Sequence, residues 1–157
     1  MIHQPKNNLF LRSRIPLFFI LLLICSVSIS FTQKEGYFRI FGNIRKDDKN
    51  LEGAEVKVTK KNVVVQTLTT TENGKFVFNL PLNGEYLMSV SKPGLLSKSI
   101  ILRTKVPKKE KDLIFVYKVT IDLRPAESDS DKAVVNKPLG EIAYSKAYQV
   151  FDYKPLK

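Results

Sequence analysis

Short alternating runs, broken by turn residues, constrain this chain more than any other feature. Apolar and β-branched side chains recur at every second position through most of the stretch from Tyr37 to Leu123. Gly, Pro, Asn and Asp fall between the runs at short intervals. A period of two sends successive side chains to opposite faces of a strand, so each run can bury one face and leave the other in water. The run 37–45 puts Phe38, Ile40 and Ile44 on one face with Gly42 between them, and Arg39, Asn43 and Arg45 on the other. Runs 55–60, 63–70, 75–80, 85–91, 97–104 and 113–123 follow. The breaks have turn chemistry. Residues 46–50 are polar, Lys61-Asn62 separates two runs, Asn73-Gly74 suits the positive φ of a hairpin turn, and Pro93-Gly94 has the order of a type II turn. No stretch sustains the 3.6-residue period of a helix. The pattern predicts an all-β fold, a seven-stranded antiparallel β-sandwich over residues 31–124.

Residues 125–132 change composition. Glu127, Asp129 and Asp131 among small residues read as a solvated acidic linker. Residues 133–157 form a tail that regains apolar character. Ile142 and Tyr144 share one face of a short alternation, and Tyr148, Phe151 and Tyr153 follow. Burying an aromatic ring contributes about 1.5–3 kcal/mol, so leaving several in water is unfavourable. The tail is predicted to dock by β-pairing, on its own sandwich or on a partner protein, with these five residues as its contacts.

Residues 1–30 have the three parts of a secretory signal peptide: the cations Lys6, Arg12 and Arg14, an apolar run from Ile15 to Ile24, and a small-residue end. Cleavage is expected after Ser28 or Ser30, each with a small residue two places earlier. Residues 15–33 carry no charge, so a retained membrane anchor is the alternative. Lipid attachment at Cys25 is a third option, opposed by Ile24 where a small residue is usual. The chain has 26 Lys+Arg against 15 Asp+Glu, a formal charge of +11. Cleavage would lower this to about +8 and remove His3 and Cys25, the single His and the single Cys. An exported domain of about 127 residues buries about two-thirds of its surface and needs no disulfide.

This composition excludes several chemistries. A chain without imidazole or thiol has no base for a Ser nucleophile, no Cys–His pair and no ordinary zinc site. No Gly-rich phosphate loop occurs. Asp47, Asp48, Glu52 and Glu55 could supply a carboxylate pair, but they cluster at turns, where solvated acids are common. Lys46 and Lys49 beside them oppose calcium. No catalytic residue, metal ligand or cofactor is therefore predicted. Lys105, Lys108, Lys109 and Lys111 form a basic run that could contact an anionic surface such as phosphate-rich polymers or lipid headgroups, or simply solvate a loop. No aromatic-basic motif points to nucleic acid. Tyr37, Tyr86 and Tyr117 read as packed strand residues rather than sugar-stacking platforms.

Gly42 and Ile44, then residues 51–56, 71–76, Tyr86 and 91–94 recur in an order that resembles the carboxypeptidase-regulatory-like domain. That domain is a transthyretin-like (prealbumin-like) or carbohydrate-binding-like β-sandwich, and the likeness is to exported versions common in Bacteroidota. It covers residues 36–124 and extends to the tail through residues 136–144 and Phe151-Asp152-Tyr153. Leu95 departs from the pattern, where Tyr commonly follows the Gly. The resemblance implies a folded accessory module without the peptidase's zinc domain. It implies a periplasmic or outer-membrane-associated location, with membrane contact through the first segment only. The expected role is a structural or protein-interaction component of the bacterial envelope, partnered by another envelope protein. The alternative is a glycan-binding accessory domain, and a third reading is a hydrolase using carboxylates alone.

Overall fold

The computed structural model describes residues 35–125 and 137–156. The expected signal peptide with Cys25, Ser28 and Ser30, and most of the acidic linker, lie outside the described residues. Ten strands, numbered in chain order, form two sheets. The first holds β1 (Tyr37–Lys46), the short β2 (Lys49–Asn50), β5 (Lys75–Pro81) and β8 (Ile114–Asp122). The second holds β3 (Glu55–Lys60), β4 (Val63–Thr69), β6 (Glu85–Ser91), β7 (Lys98–Arg103), β9 (Gly140–Ser145) and β10 (Val150–Pro155). Its order is β10-β9-β7-β6-β3-β4.

The seven alternating runs all become strands, six of them with at least one fully buried position; β4 buries none and is held by its pairing with β3, with Gln66 and Leu68 half-buried. Three features differ from expectation. The count is ten among the described residues, since the two-residue β2 and the tail strands β9 and β10 add to the seven. Both sheets are mixed: β8 runs parallel to β1, and β9 runs parallel to β7. A strand that returns to its sheet after the chain has crossed the other layer need not reverse direction, as a hairpin partner must. Finally, the turn at residues 71–74 is no hairpin. It hands the chain from β4 in one sheet to β5 in the other, closed by Gly74 N–H donating to the Thr71 carbonyl at 2.7 Å.

Between the sheets lies one apolar core. The first sheet contributes Phe38, Ile40, Ile44, Phe76, Phe78, Leu80 and Ile121, and the second contributes Val56, Val58, Tyr86, Met88, Val90 and Leu102. Gly42 is the inward position of β1 that carries no side chain. A Cβ there would sit 1.6 Å from the Val119 carbonyl oxygen of β8, so only glycine lets these strands pair. Two buried threonines tie turns to the core. Thr104 Oγ1 accepts from Gly84 N–H at 2.9 Å and lies 3.0 Å from the Pro81 carbonyl. Thr70 Oγ1 accepts from Ala54 N–H at 2.9 Å and donates to the Leu51 carbonyl at 2.7 Å.

Candidate functional site

The outward face of the first sheet is built on β1, which is hydrogen-bonded on both sides. Register places its odd-numbered residues in rows with β5 and β8. Asn79, Arg39 and Val116 form one row, then Val77, Phe41 and Lys118, then Lys75, Asn43 and Thr120. Successive rows lie about 7 Å apart along the strands. The end of β4 and the following corner, with Leu68, Thr69 and Thr71, stand beside β5 as a wall. The result is an open groove of about 920 Å³. Its floor is apolar: half-buried Phe41 and Leu68, with Val77 46% and Val116 60% exposed. Asn43 is held at the rim by its Nδ2, which donates to the Asn73 carbonyl at 3.1 Å.

Three cations border this floor: Arg39, Lys75 and Lys118. No carboxylate lines the groove, and among the described residues none of the three has an ion-pair partner. Elsewhere on the surface two arginines are ion-paired. Arg45 pairs with Asp48 and Asp122, and Arg103 with Glu85 and Glu141. Sequence reading missed this cluster because its members come one from each of three strands. The signal available was that outward positions 39, 41, 75, 77, 116 and 118 of these runs hold cations and apolar side chains and no acid.

The expected basic loop is divided by the structure. Lys108 and Lys109 lie in a 3₁₀ turn (Lys108–Glu110) and, with Lys111, are exposed. Lys109 lies 3.8 Å from Glu110. Lys105 instead joins Arg103 and Lys146 around a second concavity of about 470 Å³, beside Val106 and Tyr144. Buried Glu110 accepts a hydrogen bond from Tyr144 Oη at 2.5 Å. That bond to the carboxylate, then burial, push the Tyr144 phenol up to about 12.

The tail residues have distinct places. Ile142 is fully buried and Phe151 nearly so, both in the chain's own core. Phe151 packs against Phe38 with the rings tilted by 40° and their centroids 4.3 Å apart, and meets Phe115 and Tyr144 edge-on at 5.3 and 5.8 Å. Tyr153 donates to the Leu139 carbonyl at 3.1 Å, and Tyr148 is exposed. The tail strands pair with each other and β9 pairs with β7, so this hairpin extends the second sheet. Of the carboxylates, Asp47 and Asp48 form the β1–β2 turn, Glu52 is exposed in the next turn, and Glu55 pairs with Lys57 at 2.9 Å. Tyr86 is buried, its hydroxyl donating to the Pro81 carbonyl at 3.1 Å, while Tyr37 and Tyr117 are half-buried. Among the described residues no group of three or more His, Cys, Asp and Glu could hold a metal.

No family model matches the sequence, and no curated protein is similar to it. The resemblance to the carboxypeptidase-regulatory-like domain therefore rests on the sequence motifs alone. Among solved structures the chain is similar to S.CueP, 19% identical, with a TM-score of 0.39 over 56% of this chain and 62% of that one. It is similar to 3-chlorocatechol 1,2-dioxygenase from Rhodococcus opacus 1CP, 12% identical, with a TM-score of 0.40 over 61% and 62%. It is also similar to 5-hydroxyisourate hydrolase of Klebsiella pneumoniae, 14% identical, with a TM-score of 0.38 over 57% and 98%. The chain thus spans less than two-thirds of the first two. Likeness at this distance carries no chemistry from those proteins to this one.

Proposed function

We propose that this chain is an exported, non-catalytic β-sandwich module that acts as a structural or protein-interaction component of the bacterial envelope. The observation that carries the reading is the groove on the outer face of the first sheet. It offers an apolar floor with three cations that have no ion-pair partner among the described residues, and no carboxylate, imidazole or thiol lines it. Such a surface can hold a partner, and it lacks the carboxylate, imidazole or thiol that most acid–base and nucleophilic catalysis uses. Export is supported by the three-part leader of residues 1–30. The alternative, a glycan-binding accessory domain, would use the same face. It has less behind it, because of the two rings that line the groove Phe76 is buried in the core, and the neighbours of the accessible Phe41, Val77, Val116 and Leu68, are aliphatic.

Replacing exposed Val116 with a photo-crosslinking residue in the source organism tests the reading. The chain should appear in the envelope fraction and yield a discrete protein adduct on irradiation. Recovery from the cytosol, or no adduct beyond the monomer, would overturn it.

A further inference from the structure

If the outer face of the first sheet holds a partner, as proposed, the groove's chemistry narrows which kind. We infer that the groove binds an acidic segment of a partner protein, one that inserts an apolar side chain over Phe41 and sets carboxylates against Arg39, Lys75 and Lys118. Three observations support this occupant. First, charge: the three cations surround the floor with no acid among them, so a carboxylate-bearing partner is attracted and a basic one repelled. Second, the floor: Phe41 sits between Val77 and Lys118 in one cross-strand row, with Val116 diagonal to it. An aliphatic surface around one ring matches an inserted Leu, Ile, Met or Phe. A sugar ring seeks flat aromatic faces and paired polar groups instead. Third, backbone: β1 spends its N–H and C=O groups on β5 and β8 along the whole groove. The floor over Phe41 therefore offers no main-chain pairing, which only the outer edges of β5, β8 and β4 could give, and a segment seated on that floor is recognised through side chains. Concavity argues against a flat membrane, whose headgroups would meet the rim and leave the floor unfilled.

Selection of a random phage-displayed peptide library on the full chain in mild detergent tests the inference. The enriched peptides should share one large apolar residue flanked by Asp or Glu. A synthetic copy of the best should bind the full chain and weaken as salt rises. Its binding should fall by about tenfold or more with Lys118→Glu and with Phe41→Asp, and stay unchanged with Lys154→Glu on the edge of the other sheet. Lys118 is exposed, so that variant remains decisive even where Phe41→Asp disturbs folding. No enrichment, enriched peptides lacking acids, or binding indifferent to both groove variants would each overturn the inference. So would polygalacturonate or phosphatidylglycerol vesicles binding in a Lys118-dependent way while the peptides do not. A protein adduct at Val116 that persists with Lys118→Glu and Arg39→Glu would leave the interaction reading standing and remove only this inference.

Discussion

Gly74 shows how one residue can be required twice. Its φ of +65° lies in the left-handed region, and a Cβ there would sit 2.4 Å from the Ile44 carbonyl oxygen. Gly74→Ala is expected to destabilise the fold by about 2 kcal/mol, since the backbone term and the collision add. A denaturant midpoint equal to the parent's would contradict this. The Asn73-Gly74 pair made the positive φ legible in the sequence, but nothing local reveals the carbonyl. Thr70 and Thr104 were illegible for the same reason. Threonine suits either face of a strand, and only the assembled turns show both hydroxyls buried and bonded. Tyr144 makes a pH prediction. Its phenol is raised from 10.0 to about 12, first by its bond to Glu110, so the fold favours the protonated form. That contribution is complete below about pH 10 and is lost as pH rises through about 12. Tyr86 and Tyr117 are raised too, mainly by burial, and act with the same sign. Tyr144→Phe should therefore flatten the alkaline loss of stability without abolishing it, as read from urea midpoints across that range. An identical alkaline slope in the variant would refute the role given to this bond.

At the scale of elements, turns were easier to read than pairings. The β3–β4 turn has Lys61 at φ 49° and Asn62 at φ 64°, the two positive values of a type I′ turn. Asparagine adopts that conformation at less cost than lysine, so Lys61→Asn should stabilise the hairpin by up to about 1 kcal/mol. A small rise in melting temperature is the expected outcome, and a fall would show that Lys61 makes a contact worth more than its strain. Most of the seven runs were legible because alternation survives wherever one face is buried, and β4, with no buried residue, was legible from its β-branched composition and flanking turns. β10 was not, since Phe151 is its single buried residue and one position makes no pattern. Parallel pairing was also hidden. Whether β8 joins β1 in parallel depends on the layers the chain crosses between them, and no local signal records that. The corner at residues 71–74 makes the same point, because its chemistry fits a hairpin while its strands enter different sheets.

Across the whole molecule, the groove and the tail hairpin both arise from distant segments meeting. Arg39, Lys75 and Lys118 are ordinary outward cations in three separate runs, and only the registers of β1 with β5 and β8 gather them. The aromatic tail was legible as something that must dock, and its place is the β7 edge of its own sandwich. This has an energetic consequence. Ile142 and Phe151 are buried in the common core, and each side chain contributes about 1.5–3 kcal/mol by its burial. Phe151 adds ring contacts with Phe38, Phe115 and Tyr144, worth about 0.5–1.5 kcal/mol apiece. Removing the hairpin also uncovers those rings and leaves the β7 edge unpaired. Together these losses are comparable with the whole net stability of a small domain, about 5–15 kcal/mol. Deleting residues 137–157 is therefore expected to leave a chain that is marginal or unfolded at room temperature, with its tyrosine near-UV signal lost. Phe151→Ala alone should cost about 3–5 kcal/mol and keep the fold. If the truncated chain melts within a few degrees of the parent, the sandwich is complete without its tail, and the docking of Ile142 and Phe151 contributes nothing to holding the two sheets together.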